Sequence, residues 1–365
     1  MPRPLISVVM SVFNGEPFLM EAVESILNQS VADFEFIIID DGSSDGTPAI
    51  LAYYEKSDGR VRSFRQENRG LIESLNRGCA LARGKYIARM DADDIAIRDR
   101  LARQVAFMEN NPEVGVLGGA VNIIDAAGKS LSISANPTGD GQIRSILFSE
   151  CPFWHPTVVM RKEAFVAVGG YRKNMVDAED YDLWLRIADH FGLDNLKAVV
   201  LQYRLHPFQV TVRKCRQVAL SSLAARAAAV VRRKGESDPF DIIAEITPVV
   251  LAGLGVDDDT QDAAVASRYL WGIRSMYNTR QYSAALNVLD EMLRSSDWQG
   301  AETRVLADVR LLAAQLYWHE GRLAKSILTA GHAIITRPIM LGRPFKQVLR
   351  SLRPATVGVN AEEEH

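Results

Sequence analysis

The 365-residue sequence predicts an α/β protein, with a doubly wound, mainly parallel sheet followed by an all-α region. Three observations carry this expectation. Apolar, β-branched runs alternate with segments of helical periodicity from residue 5 to residue 90. Acidic side chains follow two of those runs, at the C-terminal strand edge where open α/β sheets bind ligands. From about residue 213 the strand-like runs give way to an Ala- and Leu-rich helical pattern, so the expected domains are 1–212 and 213–365.

The elements follow in order. Residues 5–12 are apolar apart from Ser7 and Ser11 and read as a buried first strand. Arg3 before this run suggests a secretory leader, but the run is short and leads into Phe13-Asn14-Gly15, not a small-residue cleavage site. Residues 17–28 place Phe18, Leu19, Ala22, Val23, Ile26 and Leu27 at helical spacing. A second strand at 34–39 ends in Asp40-Asp41-Gly42-Ser43, and Thr47-Pro48 supplies the N-cap and first position of a helix. A strand at 61–65, a helix at 71–82 and a strand at 86–90 complete a βαβαβαβ order, which requires parallel strands joined by crossover helices. Beyond the acids, a helix is expected at 98–110, strands at 114–117, 154–160 and 196–204, and helices at 162–168 and 179–191, each stopped by glycine.

Composition narrows the function. The net charge of −3 argues against a general nucleic-acid binder. Cys79, Cys151 and Cys215 are too few and too scattered for a disulfide framework or a zinc site, which points to a reducing, cytoplasmic setting. No apolar stretch approaches the ~20 residues needed to span a bilayer. Neither the dinucleotide fingerprint nor the Walker phosphate loop is present, which removes oxidoreductase and NTPase readings.

The acidic residues carry the chemistry. Asp91, Asp93 and Asp94 repel one another, and such a group is tolerated in a solvated turn or around a hard divalent cation with oxygen ligands. A carboxylate at Asp41 can accept the ring N–H of uracil, or it can close an Asx-type turn. Ser11, Phe13 and Asn14 end the first strand at the same edge, where they would complete a nucleotide pocket, although Phe13 alone fits a core position equally well. Glu179 and Asp180 open a helix, a place that suits either dipole capping or proton abstraction.

Together the segments ISVVMSVFN at 6–14, IDDGSSDGT at 39–47, MDADD at 90–94 and EDYDLW at 179–184 resemble family 2 glycosyltransferases with the GT-A fold. Their order and spacing match over roughly the first 210 residues, and the C-terminal third is not covered. The resemblance implies that Asp91-Ala92-Asp93 is a DXD motif. In it Asp93 is the principal ligand of a Mg²⁺ or Mn²⁺ on the donor diphosphate, and Asp91 serves the ribose or a water on the metal. It further implies that Asp180 is the general base, that His206 reaches the metal or diphosphate, and that His155 and Glu179 lie on the acceptor side. The implied reaction is inverting transfer from a nucleotide sugar, most simply a UDP-sugar, to a saccharide or lipid-linked acceptor. Two alternatives stand beside it: a sugar-nucleotide pyrophosphorylase, and a scaffold with a vestigial transferase domain.

The helical third has weak tetratricopeptide-like spacing around Tyr282, Ala285, Leu286, Leu289 and residues 311–328. Basic and apolar residues alternate at 337–353, which suits peripheral contact with an anionic membrane at its inner face or a solvated helix face.

Overall fold

The computed structural model describes residues 3–206, 214–278, 280–294 and 303–336. In the first part, β1 (Ile6–Val12), β2 (Phe34–Asp40), β3 (Val61–Arg65) and β4 (Tyr86–Asp91) are parallel neighbours. They are linked by α1 (Leu19–Leu27), α2 (Thr47–Ser57) and α3 (Leu71–Leu81). Both faces of these strands are covered. Val8, Met10, Phe36, Ile38, Ala88 and Met90 share a core with Leu19, Val23 and Ile26 of α1 and with Leu101, Val105 and Met108 of α4 (Arg100–Asn110). On the other face α3 presses onto the sheet at Gly78, where an added Cβ would come within 2.6 Å of Val9. Burial on both faces explains why β1 and β2 are nearly continuously apolar, whereas the edge strand β3 is partly exposed and mixed.

The second part makes the sheet mixed. A two-residue β5 (Ile95–Ala96), a long β6 (Val114–Ile124), β7 (Ser130–Ser134), β8 (Val159–Arg161) and β9 (Gly192–Arg204) extend it to the order β3-β2-β1-β4-β8-β6-β9-β5, with β7 on β6. β8 runs antiparallel to β4 and β6, whereas β6 and β9 are parallel. Helices α5 (Asp140–Ile146), α6 (Lys162–Ala167) and α7 (Glu179–Ile187) complete this part.

Three expectations change here. The strand expected at 154–160 is a 3-10 turn, His155–Thr157, followed by β8; Pro156 has no N–H to give to a ladder. β6 continues past 117 through Gly118 and Gly119, whose missing side chains make room for Asn195, Phe153 and Val200. The helix expected to reach 191 ends at Ile187, and β9 begins at Gly192.

The chain divides into two compact units, Met1–Asp257 and Asp258–His365. The compositional shift at 213 therefore falls inside the first unit. It marks the end of the strands and not the end of the packed body. Helix α8 (Cys215–Arg233) buries Ala224, Ala225, Ala228 and Ala229 and packs against α7. Its Arg232 donates to Asp189 at 2.7 Å. A short α9 (Pro248–Gly253) ends this unit.

The second unit is helical throughout its described residues: α10 (Asp258–Asn278), α11 (Tyr282–Arg294), α12 (Thr303–His319) and α13 (Leu323–Thr336). Ser326 donates to the carbonyl of Ala314 at 2.7 Å between α12 and α13, and Tyr282 stacks on His319 at 4.3 Å. No helix of the described residues is long and apolar enough to cross a membrane. Residues 337–353 lie outside the described residues.

Candidate active site

Strand register gathers the predicted residues. Ser11 on β1 is the partner of Asp91 on β4, and Val12 is the partner of Asp40 on β2. The loops after these strands therefore leave the sheet along one edge. Asn14 adopts φ +52°, and its N–H donates to Ser43 Oγ at 2.9 Å while its Oδ1 accepts from Ser44 N at 2.8 Å. Gly15 N donates to Thr47 Oγ1 at 2.9 Å, so the first two loops are laced together. Phe13 is 54% exposed, which places it outside the core and leaves its ring free to stack.

Asp41 organises a third loop. Its N–H donates to Val12 O at 2.9 Å, and its carboxylate accepts from Gln66 Nε2, Arg69 N and Gly70 N at 2.8, 2.9 and 2.8 Å. Gly42 beside it has φ +84°, and a Cβ there would meet Asn68 N at 2.9 Å. The Asp-Asp-Gly-Ser turn thus needs glycine to press against residues 66–70. Two of the three in-chain donors fall on Oδ1, which leaves acceptor capacity on Oδ2.

The carboxylates of Asp91, Asp93 and Asp94 bring ligand atoms to within 4.8 Å of one another. His206, just after β9, places Nε2 2.8 Å from Asp93 Oδ2. Asp94 turns Oδ1 to the N–H of Arg204 at 2.8 Å, while its buried Oδ2 has no hydrogen-bond partner among the described residues. Burial pushes the Asp94 carboxyl well up, and Asp93 and Asp91 add repulsion. Burial raises Asp91 too, against the pull of Arg89. A cluster of crowded oxygens with an orphaned acceptor and one imidazole fits a hard, borderline divalent cation such as Mg²⁺ or Mn²⁺.

Three residues absent from the sequence-based site complete it. Arg89 lies two positions before Asp91 on β4, on the same sheet face, and forms an ion pair with it while being 3% exposed. Burial opposes its charge, but Asp91, Tyr171 and Asp94 together outweigh that effect and the guanidinium stays protonated. Arg204 donates from Nε to Asp93 O at 2.8 Å and from Nη2 to Glu21 at 2.5 Å, and its guanidinium lies over the Phe18 ring. Tyr171 hydrogen-bonds His155 Nε2 at 2.9 Å. A charged residue inside the apolar run 86–90 was the available signal for Arg89; no local pattern marks the other two.

These residues reach the opposite side of the site. Burial pushes the Tyr171 hydroxyl well up, and repulsion from Cys79, Glu179 and Asp180 adds to it. Burial and the nearby Arg89 hold His155 well below the usual histidine range, so its ring is neutral. Glu179 is 5% exposed, and burial with the neighbouring Asp180 pushes its carboxyl up to about 8. It therefore keeps its proton at neutral pH and is a hydrogen-bond donor. Asp180 opens α7 and accepts from the N–H of Tyr181 at 2.7 Å. Arg89 pairs with Asp91 and lies close enough to His155, Tyr171 and Glu179 to influence their protonation.

Comparison with known proteins identifies the family. The model of glycosyl transferase family 2 matches residues 7–169. An uncharacterized glycosyltransferase of Methanocaldococcus jannaschii is 35% identical over 210 residues, covering 56% of this chain and 72% of that protein. The O-antigen biosynthesis glycosyltransferase WbnJ of Escherichia coli is 33% identical over 206 residues, covering 55% and 80%. Among solved structures, S. aureus TarS 1-349 in complex with UDP-GlcNAc aligns at a TM-score of 0.53 with 16% identity, covering 92% of each chain. The mannosyltransferase PcManGT of Pyrobaculum calidifontis, in complex with GDP-Man and Mn²⁺, aligns at 0.50 with 18% identity, covering 93% and 87%. Joined to the strand-edge carboxylates and the GT-A-type sheet, these likenesses make the chain a member of the family 2 glycosyltransferases.

Proposed function

We propose that this enzyme transfers a sugar, with inversion, from a nucleoside diphosphate donor to a hydroxyl of a saccharide or lipid-linked acceptor. The observation that carries the reading is the gathering of Asp91, Asp93 and His206 at one strand edge, with Arg89 paired to Asp91 and close enough to Tyr171 and Glu179 to influence their protonation. Asp93 and His206 would hold a Mg²⁺ or Mn²⁺, which would supply charge neutralisation for the leaving diphosphate. Asp91 turns to the ribose, and Phe13 stacks on the base between Ser11 and Asn14. Asp41 receives the imide N–H of uracil on its remaining acceptor position, which favours a UDP-sugar. Asp180 takes the acceptor's proton as the new bond forms, while protonated Glu179 and neutral His155 orient that hydroxyl.

The names of relatives support a place in polysaccharide synthesis. WbnJ is an O-antigen biosynthesis enzyme, and the 31% identical AmsE of Erwinia amylovora is an amylovoran biosynthesis enzyme. The reading includes a cytoplasmic location with peripheral membrane contact through residues 337–353. Family membership weighs against the pyrophosphorylase alternative, and the joint presence of Asp41, Asp93 and Asp180 against a vestigial domain.

The test is a screen of UDP- and GDP-sugars with Mn²⁺, Mg²⁺ or EDTA, following release of the nucleoside diphosphate. Release that requires a divalent cation is expected. Release unaffected by EDTA would remove the metal from the reading, and no release with any donor would remove the activity.

A further inference from the structure

The loop that delivers Glu179 and Asp180, residues 168–178, is gripped from two sides. Arg186 of α7 holds its beginning, donating from Nη1 to Val168 O at 2.5 Å and from Nη2 to Gly170 O at 2.7 Å. The same guanidinium is fixed by Asp182, which is fully buried and accepts from Nε at 2.9 Å and Nη2 at 2.7 Å.

The second grip comes from beyond the residues matched to the family. Asp238 begins a 3-10 turn, Pro239–Asp241, and is 7% exposed. Its Oδ2 lies 2.9 Å from Arg172 Nη1 on the loop and 2.6 Å from Arg232 Nη1 on α8. Its Oδ1 accepts from Phe240 N at 2.9 Å. Two residues farther along the loop, Asn174 Nδ2 donates to the carbonyls of Phe240 and Ile243 at 3.0 and 2.6 Å. Arg172 Nη1 also lies 3.7 Å from Asp182 Oδ1, a long ion pair between the two grips. Burial by itself raises the Asp238 carboxyl, but Arg232, the Phe240 N–H and Arg172 together bring it below the ordinary carboxylate range. The contact of Arg172 with the exposed Asp241 adds little, because water screens it.

Tyr171, the partner of His155, lies next to Arg172, and Asp180 is two residues before Asp182. Any slack between Asp238 and Arg172 is therefore passed to both acceptor-side groups. Misplacement of a reacting group by about 1 Å can cost on the order of 100-fold in rate.

We propose that residues 232–243 clamp the acceptor-side loop and that Asp238 is a positioning residue for Asp180. This rests on the reading of Asp180 as the general base, and the experiment separates the two. Wild type, Asp238→Ala, Asp180→Asn and the double variant are compared by kcat and donor KM for nucleoside diphosphate release. Thermal stabilisation by UDP with Mn²⁺ is measured alongside. The expected result for Asp238→Ala is a kcat lower by roughly 10- to 100-fold, with donor KM and UDP-induced stabilisation unchanged. The loss should not add to that of Asp180→Asn, and Asp238→Glu should recover part of it. If Asp180→Asn is inactive while Asp238→Ala keeps full kcat, the clamp alone is overturned. Full activity in Asp180→Asn overturns the general-base reading and the clamp with it. A matching loss of kcat and of UDP stabilisation in Asp238→Ala also overturns the proposal, because it marks a general weakening of the fold. If Asp238→Ala does not fold, Asn174→Ala carries the same expectation, and full kcat there overturns it.

Discussion

His206 Nε2 lies 2.8 Å from Asp93 Oδ2, so the second residue beyond the last strand meets the acidic turn after the fourth strand. Arg204 makes this meeting rigid by bonding both Asp94 and the Asp93 carbonyl through its backbone and side chain. Asp93→Ala is expected to remove metal-dependent binding of UDP. His206→Ala, which removes a proposed ligand, is expected to weaken metal affinity by at least about 10- to 100-fold, the loss that follows even from removing a ligand's orienting partner. Titration of Mn²⁺ in the presence of UDP, read by thermal shift, checks both.

Asp180→Asn keeps the shape of the side chain and removes its basicity. Transfer should fall by roughly two to four orders of magnitude, the usual contribution of a positioned base. UDP stabilisation should persist, since the donor-side acids are untouched. Loss of both together would assign Asp180 to donor binding.

Glu179 gives the fold a pH dependence with a definite sign. Its carboxyl is raised from the ordinary 4.5 to about 8 by burial and by Asp180, so the folded state favours the protonated form. That preference is fully present below pH 4.5 and is lost as pH rises toward 8. Glu179→Gln should remove this slope, raising Tm at pH 8 relative to wild type and changing it little at pH 5. Melting curves across that range are the check, and an unchanged slope would show that the carboxyl ionises freely.

Asp41→Ala removes the acceptor for Gln66, Arg69 and Gly70 and should cost about 2–4 kcal/mol, since hydrogen bonds to a charged group contribute roughly 1.5–3 kcal/mol each and do not add fully. Asp41→Asn keeps one acceptor oxygen and should lose less stability but discriminate poorly between UDP and GDP. Urea unfolding and competition between the two nucleotides measure the two effects.

Much of this was legible before any coordinates. The inner strands β1 and β2 carry nearly continuous apolar runs because both faces are covered, and α1 shows plain 3.6-residue spacing, so local pattern and tertiary environment agree there. The acids at 41, 91 and 93 stand out because nothing in a core explains carboxylates at strand ends, whereas Asp180, in the first turn of a helix, is singled out only by the resemblance. The mixed part of the sheet was harder. β7 is a short, polar strand, β5 has two residues, and β6 passes through a glycine pair whose purpose is visible only from the side chains that fill it.

What the sequence determined by itself is therefore the parallel half of the sheet and the edge at which its acids emerge, because strand alternation and chain direction are local properties. Tertiary structure alone decided that Arg89 neutralises Asp91, that Tyr171 meets His155, that Arg204 ties β9 to the acidic turn, and that the packed body runs on to Asp257. Each of those depends on which distant segments are pressed together. A buried charge reveals its purpose only through the partner that compensates it.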